Sequence, residues 1–268
     1  MEKSDRSQRQ LSSQFPLLPD HSNMLHPPLE YEQNLLDVAR TRISVTTYHE
    51  RELDESVFQD FYDSLETPRA VGLGWSTTAK GSLTVLAISS HSTCIIIQFA
   101  NKSTRDDATL EARDRLQNRL LCNSEVTLYA FDMGRLALSL HRDRGLRIAN
   151  AVHIQDACSG ERVHNVVHAV NFAVNGTDIK AFGKNIDTAF RDTTWDSQRP
   201  ATMTAVVFRA WLAAYMLLVG DMEERLRTVK RVDTKSISDA VSMSTAPVDQ
   251  VVLTRIGSST AAAHAFAG

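Results

Sequence analysis

Short apolar runs, bounded by glycine and polar residues, alternate along the chain with longer segments of helical periodicity. The short runs are rich in β-branched residues, which is typical of strands. Three of them follow one another closely between positions 70 and 99 and predict a three-stranded antiparallel meander. The predicted strands lie at 43–48, 70–75, 83–88, 94–99, 126–130 and 147–154.

The longer segments carry apolar residues at every third or fourth position, which predicts amphipathic helices. One of them ends at Gly145, because glycine commonly terminates helices. Antiparallel strands first, then alternating strands and helices, predict an α/β protein with a mixed sheet flanked by helices on both faces. This order is similar to the plan of ribonuclease H-like folds. The predicted helices lie at 50–65, 107–121, 133–144, within 163–174 and at 202–229.

Composition divides the chain into three regions. Residues 1–35 contain four of the seven prolines and no sustained period, which predicts a flexible N-terminal arm. Residues 36–232 carry the predicted helices and strands and are expected to form one domain. Residues 233–268 are rich in Ser, Thr and Ala and predict a low-complexity tail, in which 248–256 has the pattern of a short strand. The 43% apolar content of the 268 residues suits one good-sized core.

The overall charge limits the classes of partner. A net charge of −3 gives no global positive field that would attract nucleic acid, so such a contact needs a local patch. The three cysteines are odd in number and far apart, which fits neither a disulfide framework nor a zinc site, and the expected compartment is reducing. The first residues lack the apolar core of a signal peptide, and the longest apolar run is interrupted by Arg209. We therefore expect an intracellular protein, in the cytoplasm or nucleus, that does not associate with a membrane.

Five short motifs, taken in order over residues 48 to 226, resemble those of the ribonuclease D type of 3′-5′ exonuclease domain, the DEDD family. The resemblance implies a 3′-5′ exonuclease-like domain of ribonuclease H-like fold. The motifs are Gly72-Leu-Gly-Trp-Ser76, Asp132-Met-Gly-Arg-Leu136, Arg142-Asp-Arg-Gly-Leu146, Ala151-Val-His-Ile-Gln155, and Trp195 with Arg199-Pro200 before Phe208-Arg-Ala-Trp-Leu212.

The resemblance also implies where catalytic groups should lie, and none is present there. Active members of the family hold two divalent metal ions with four carboxylates, while a tyrosine positions the attacking water. The corresponding residues here are Gly74, Ser76, Leu136 and Leu212, with Phe208 in place of the tyrosine. None of them supplies a negative charge, and hard cations need oxygen ligands. We therefore expect these positions to converge on one uncharged pocket, with no catalytic residue, no bound metal and no other cofactor.

The densest basic cluster is the candidate for nucleic-acid binding. It follows the second motif, and an exposed solvated face is the alternative interpretation. Its members are Arg135, His141, Arg142, Arg144 and Arg147.

The leading hypothesis is a catalytically inactive 3′-5′ exonuclease-like domain. It would bind RNA or another single-stranded nucleic acid, or act as a scaffold for a protein in RNA processing or silencing, and a homodimer is compatible with this role. One alternative is an active Mg²⁺- or Mn²⁺-dependent 3′-5′ exonuclease with a rearranged acidic site. Another is a structural subunit that makes no nucleic-acid contact. The rearranged site would use Asp132, Asp156, and Asp192 or Asp196.

Overall fold

The centre of the protein is one seven-stranded mixed sheet. The computed structural model describes residues 28–38, 42–67, 69–100, 106–158 and 165–235. Most of the predicted N-terminal arm, the predicted strand at 248–256 and most of the C-terminal tail therefore lie outside the described residues. The strands are β1 (Leu29–Glu32), β2 (Arg42–His49), β3 (Ala70–Thr77), β4 (Leu83–Ser89), β5 (Thr93–Gln98), β6 (Thr127–Ala130) and β7 (Ala151–His153).

The strands are arranged in the order β1-β2-β5-β4-β3-β6-β7. Strands β3, β4 and β5 form the predicted antiparallel meander, with Gly74 opposite Ala87. Strands β3, β6 and β7 run parallel to one another, and Gly72 pairs with Tyr129. In the part of the sheet from β5 to β7, strand β4 is antiparallel to both of its neighbours, β3 and β5. This order and these directions are those of a ribonuclease H-like sheet, so the predicted fold class is confirmed.

Seven α-helices occur among the described residues and connect or cover these strands. Helices α1 and α2 begin at aspartate N-caps, since Asp54 and Asp106 accept hydrogen bonds from the backbone nitrogens of Val57 and Thr109. Helices α2 and α3 each continue into one π-helical turn, Gln117–Leu121 and Leu140–Arg144. The α-helices are α1 (Glu55–Asp63), α2 (Asp107–Leu116), α3 (Met133–Ser139), α4 (Val166–Val174), α5 (Gly183–Arg191), α6 (Pro200–Tyr215) and α7 (Met222–Thr228).

The sheet separates two hydrophobic clusters. Alternate residues of a strand point to opposite faces, and the clusters divide accordingly, with Val85 and Ala87 in one and Leu86 and Ile88 in the other. Helices α4 to α7 cover the first face, and helices α1 to α3 cover the second. A buried sheet with helices on both faces is the layered arrangement that the sequence predicted.

The structure differs from the predicted elements at four places. Residues 29–32 belong to the sheet as β1, although they fall in the predicted arm. The strand predicted at 147–154 contains only three residues, because Asn150 has a positive φ of 52° that interrupts extended backbone. The single helix predicted at 202–229 is two helices, since Gly220 has a φ of 54° between α6 and α7. Helix α5 was not predicted as a separate element.

Candidate functional site

Helix α6 is apolar along its length and lies at the centre of the first hydrophobic cluster. Residues 200–218 are long and apolar enough to cross a membrane by length and composition alone. However, all nine residues from 206 to 214 are buried, and the helix packs against the sheet as a core helix. Arg209 carries the one charge within this buried run. Its position therefore requires a specific set of partners, since an isolated buried charge is strongly unfavourable.

Helix α6 approaches β3 more closely than side chains would allow. A Cβ atom built on Gly72 would lie 2.0 Å from the carbonyl oxygen of Ala210. One built on Gly74 would lie 2.3 Å from the carbonyl oxygen of Val206. Both contacts are far below van der Waals distance, so this packing requires glycine at both positions. The helix thus closes directly over the strand that carries the first sequence motif.

A pocket of about 300 Å³ opens beside this contact, where the parallel strands β3, β6 and β7 end. In sheets of this kind, ligands commonly bind beyond the carboxyl ends of the strands. We call it the strand-end pocket. Its charged, polar or aromatic lining includes Trp75, Asp132, Arg135, His153, Gln155 and Arg209.

Arg209 is the most deeply buried charged residue of the strand-end pocket, with 4% of its surface exposed. Its Nε donates to the carbonyl oxygen of Ala189 at 2.7 Å, and its Nη2 donates to that of Asp192 at 2.6 Å. Its Nη1 donates to the carbonyl oxygen of Trp75 and, at 3.4 Å, to the hydroxyl of Ser76. Burial lowers the pKa of the Arg209 guanidinium to about 10, and the charge of Asp192 partly opposes this shift. Arg209 therefore places a cation, fixed by backbone carbonyls, between β3, α5 and α6.

Arg135 supplies a second cation at the surface of the strand-end pocket. It is exposed on α3, and its guanidinium carbon lies 5.1 Å from the centre of the Trp75 ring. That distance is within the range of a cation–π contact. No ion pair of Arg135 or Arg209 occurs within the described residues. Neither guanidinium group therefore has a carboxylate of the described residues at ion-pair distance, although the charge of Asp192 acts on Arg209.

Polar backbone and side-chain groups form the wall opposite α6. Asp132 lies just before α3 in a left-handed conformation with φ of 57°, which is uncommon for residues other than glycine. Its N–H donates to Oε1 of Gln155 at 3.3 Å, and Nε2 of His153 lies 2.9 Å from the same oxygen. Gln155 therefore connects the end of β6 to the end of β7.

The structure does not bring the five predicted catalytic positions together. Gly74 lines the strand-end pocket, and Ser76 is buried beside it as a hydrogen-bond partner of Arg209. Phe208 and Leu212 lie in the hydrophobic cluster under α4 to α7, while Leu136 lies in the cluster on the opposite face of the sheet. The expected convergence on one pocket is therefore not found. Asp132, Arg135 and Arg209 are the charged residues that line the pocket instead.

The metal pair implied by the sequence resemblance does not fit the residues present. Asp132 is the one carboxylate that lines the strand-end pocket. Within the described parts of the chain, no three His, Cys, Asp or Glu side chains are grouped so that they could hold a metal ion. Asp192 lines a different cavity between α5 and α6, so it does not complete a site with Asp132. The donor set is too poor in oxygen ligands for two hard cations, and Arg209 would repel them.

The predicted basic cluster is not one exposed patch. Arg144 is 8% exposed, donates to the carbonyl oxygens of Ala100 and Leu83, and lies over Phe99, so it is unavailable to a ligand. Arg142 is bound to Asp143, whose carboxylate is buried.

The remaining members of the cluster also differ in their surroundings. His141 is partly buried, and Arg147 donates to the carbonyl oxygen of Lys235 at 3.2 Å. Arg135 alone among the five lines the strand-end pocket. Sequence analysis missed Arg209 as a site residue, although an arginine within an apolar run was a visible signal.

Comparisons with known proteins give structural neighbours only. No protein-family model matches the chain, and no curated protein matches its sequence. Similar solved structures include NrnC of Brucella melitensis, which is 12% identical, with 68% of this chain and 82% of that chain covered and a TM-score of 0.47. The Nibbler EXO domain of Aedes aegypti is 12% identical, with 66% of this chain and 91% of that chain covered and a TM-score of 0.45. RNase D of Trypanosoma brucei is 16% identical, with 69% of this chain and 65% of that chain covered and a TM-score of 0.43. The similar structures thus include an RNase D and an EXO domain. At these identities, the comparison carries no activity over to this chain.

Proposed function

We propose that the protein is a catalytically inactive 3′-5′ exonuclease-like domain that serves as a binding or scaffolding module. Its partner would be RNA or a protein of an RNA-processing or RNA-silencing assembly. The observation that carries this proposal is the charge of the strand-end pocket, where one carboxylate, Asp132, faces the guanidinium groups of Arg135 and Arg209.

Phosphodiester hydrolysis by paired metal ions requires a pocket in which carboxylates outnumber cationic side chains, whereas here two guanidinium groups accompany one carboxylate. Each divalent ion adds two positive charges and needs several oxygen ligands around it. Arg209 is fixed by three carbonyl groups, one on β3 and two at the end of α5, and cannot leave the strand-end pocket without breaking these hydrogen bonds. A metal ion in the same place would therefore lie beside a permanent cation in a poorly solvated environment, where like charges repel strongly.

The contact between β3 and α6 supports the same proposal independently. An acidic side chain at Gly74 has no room, since its Cβ would overlap the backbone of α6. The helix would have to move away from the sheet before a carboxylate could enter. The packing between β3 and α6 thus leaves no room for a metal-binding carboxylate at position 74.

The test of inactivity is incubation of the protein with a fluorescent single-stranded RNA and Mg²⁺ or Mn²⁺, followed by denaturing gel electrophoresis. We expect the RNA to keep its length. Asp132→Asn removes the one carboxylate of the pocket, and Asp187→Asn is the matched control, because Asp187 is an exposed residue of α5 that pairs with Arg191. Metal-dependent shortening from the 3′ end that is lost in Asp132→Asn and kept in Asp187→Asn would overturn the proposal in favour of the rearranged nuclease.

The binding role is tested by titration of labelled single-stranded RNA at several salt concentrations. If RNA is the partner, Arg135→Glu weakens binding and reduces its salt dependence, because fewer counterions are released. If a protein is the partner, RNA does not bind, and a defined protein co-purifies with the chain. Absence of both kinds of partner contradicts a binding or scaffolding role.

A further inference from the structure

We propose that a segment of this chain's own N-terminal region, residues 6–18, docks into a groove between α5 and α6. The groove is a cavity of about 470 Å³ that shares no lining residue with the strand-end pocket, and we call it the helix-pair groove. Residues 6–18 lie outside the described residues. The docking concerns a different surface from the strand-end pocket, so it goes beyond the proposed function and does not depend on it.

The helix-pair groove lies where two helices each present one face. Asn185 and Ala189 are one turn apart on α5, and Ala201, Ala205 and Phe208 follow one another by turns on α6. The buried Ala189 and Phe208, together with the small side chains of Ala201 and Ala205, give the groove apolar walls. A groove between two helices is a common docking place for the large apolar side chains of another segment.

The threonines that line the helix-pair groove offer hydrogen-bond acceptors. The hydroxyl of Thr188 donates to the carbonyl oxygen of Lys184 at 2.8 Å, and that of Thr204 donates to the carbonyl oxygen of Pro200 at 3.1 Å. Each hydroxyl has one proton, so these two threonines can offer only acceptor lone pairs to a ligand. They therefore favour an occupant that donates hydrogen bonds.

Asp192 gives the helix-pair groove a negative charge. Hydrogen bonds from the backbone and side chain of Thr194 lower the pKa of the Asp192 carboxyl below its ordinary value, so it is ionised at neutral pH. In the described part of the chain, Asp192 has no ion-pair partner, whereas Arg199, which also lines the groove, pairs with Asp196 at 3.0 Å. Arg209 also acts on Asp192, but it is buried in the core and leaves Asp192 exposed. A positively charged segment therefore complements the groove.

The composition of residues 6–18 matches these walls and this charge. The segment contains two arginines, four large apolar side chains and no acidic residue. Guanidinium groups only donate hydrogen bonds, which suits the acceptors of the groove. The C-terminal residues 236–268 are less suitable, because they contain one arginine against two aspartates. The arginines of the segment are Arg6 and Arg9, and its large apolar residues are Leu11, Phe15, Leu17 and Leu18.

The length of the chain allows this docking. Strand β1 begins at Leu29, and Asn34, five residues later, lines the helix-pair groove. Five residues span at most about 18 Å, so Leu29 lies near the groove. The eleven residues from Leu18 to Leu29 span up to about 40 Å, which is enough for the segment to return to the groove. Attachment through this short connection also raises the local concentration of the segment, so weak contacts suffice.

The test is photo-cross-linking of the full chain, with the photoreactive amino acid p-benzoylphenylalanine in place of Phe15. We expect cross-links within one chain to residues 185–208, located by mass spectrometry of the monomer band. The same amino acid in place of Ser22 is the matched control, because position 22 is closer to β1 along the chain but outside the segment. It should cross-link to residues 185–208 with at least threefold lower yield.

Variants of the groove and of the segment identify the contact. Thr188→Arg places a bulky cation in the helix-pair groove and should lower the yield from position 15 at least threefold. Asn171→Arg, on an exposed residue of α4 outside the groove, should leave the yield unchanged. Arg9→Glu should also lower the yield, whereas Lys3→Glu makes the same change of charge outside the segment and should not. Thr188 and Asn171 are exposed, so thermal unfolding should show that both variants are folded.

Four results would overturn the docking of residues 6–18. Cross-links found only in a dimer band would assign the helix-pair groove to a second copy of the chain. Cross-links to residues 185–208 from a photoreactive residue in place of Val252, and none from position 15, would assign it to the C-terminal region. Equal yields from positions 15 and 22, or an unchanged yield in Thr188→Arg, would show that the segment does not occupy the groove. The RNA-shortening assay reports separately on the strand-end pocket.

Discussion

Arg113 of α2 donates from Nε to Oε2 of Glu50 at 2.9 Å inside the protein, where the Glu50 side chain is 1% exposed. The other carboxylate oxygen of Glu50 accepts from Nη2 of Arg113 at 3.1 Å and from the N–H of Ala100 at 2.7 Å. Removing one partner of a buried ion pair leaves the other without compensation. We therefore expect Glu50→Ala to lower the free energy of unfolding by about 3–5 kcal/mol, as measured by urea denaturation.

A surface pair on α1 provides the control for this prediction. Glu55 pairs with Arg119, but both side chains are more than half exposed. Exposed ion pairs contribute little, so Glu55→Ala should change the free energy of unfolding by less than about 1 kcal/mol. Similar losses in the two variants would contradict a special role for the buried pair.

Substitution of Gly74 tests the close contact between β3 and α6. Gly74→Ala places a Cβ 2.3 Å from the carbonyl oxygen of Val206, and Gly74→Asp adds a carboxylate at the same point. We expect Gly74→Ala to lower the free energy of unfolding by about 3 kcal/mol, the upper part of the range for overpacked cores, and Gly74→Asp to lower it further. Thermal unfolding followed by circular dichroism measures both changes.

Gly134 offers the matched control for that substitution. It is an exposed residue of α3 with no atom within 4 Å of a Cβ built on it. Gly134→Ala should therefore raise the free energy of unfolding by about 0.5–1 kcal/mol, because alanine is the better helix former. A stable Gly74→Asp variant would show that α6 can move away from the sheet.

Arg144 is expected to act in folding rather than in ligand binding. Arg144→Gln removes the hydrogen bonds to the carbonyl oxygens of Ala100 and Leu83, which leaves buried acceptors unsatisfied. The expected loss is about 1–3 kcal/mol in the free energy of unfolding, with no change in the RNA affinity of the folded fraction. Arg191→Gln, on an exposed side chain, should change neither quantity measurably. Loss of RNA affinity without loss of stability in Arg144→Gln would contradict this assignment.

The buried thiols make stability depend on alkaline pH. Burial raises the pKa of Cys94 to about 12 and that of Cys158 to about 11, from an ordinary value of 9.0. Above pH 9 the unfolded chain loses these protons while the folded chain keeps them, so the free energy of unfolding falls as pH rises. The expected decrease is up to about 1.4 kcal/mol per pH unit for each thiol.

Urea denaturation at pH 8 and pH 10 measures this effect. Cys94→Ala should show a shallower decrease than the unaltered chain, because one of the two thiols is removed. A thiol reagent supplies a second reading, since Cys94 and Cys158 should react only after unfolding. Rapid reaction of all three cysteines in the folded protein would contradict the burial of these thiols.

The sequence predicts the sheet well because its signals are local. Apolar runs of β-branched residues and the turns between them define β3, β4 and β5, and their close succession predicts the antiparallel pairing. The errors also have local causes. The extended pattern after residue 147 is interrupted by the positive φ of Asn150, where Ala149 donates instead to the carbonyl oxygen of Leu121 at 2.8 Å.

The candidate site is harder to predict because it depends on which face of a helix meets the sheet. Helix α6 is buried all round between residues 206 and 214, so no polar stripe indicates its orientation. Motif spacing selects Phe208 and Leu212, whereas the structure directs Arg209 to the strand-end pocket. In the same way, α3 presents Arg135 to the pocket and Leu136 to the opposite cluster. A one-residue shift on a helix moves a side chain by about 100°, enough to exchange one cluster for the other.

Strand β7 is short, and the chain beyond α7 returns to it. Val232 exchanges both backbone hydrogen bonds with Ala151, and Thr234 donates to the carbonyl oxygen of Ile148 at 2.9 Å. An unpaired strand at this border would offer a template for edge-to-edge aggregation with a second molecule. Residues 232–234 pair with this edge, so a strand of a second molecule could add there only after displacing them. Truncation of the chain before residue 232 would expose the edge of β7 and promote aggregation.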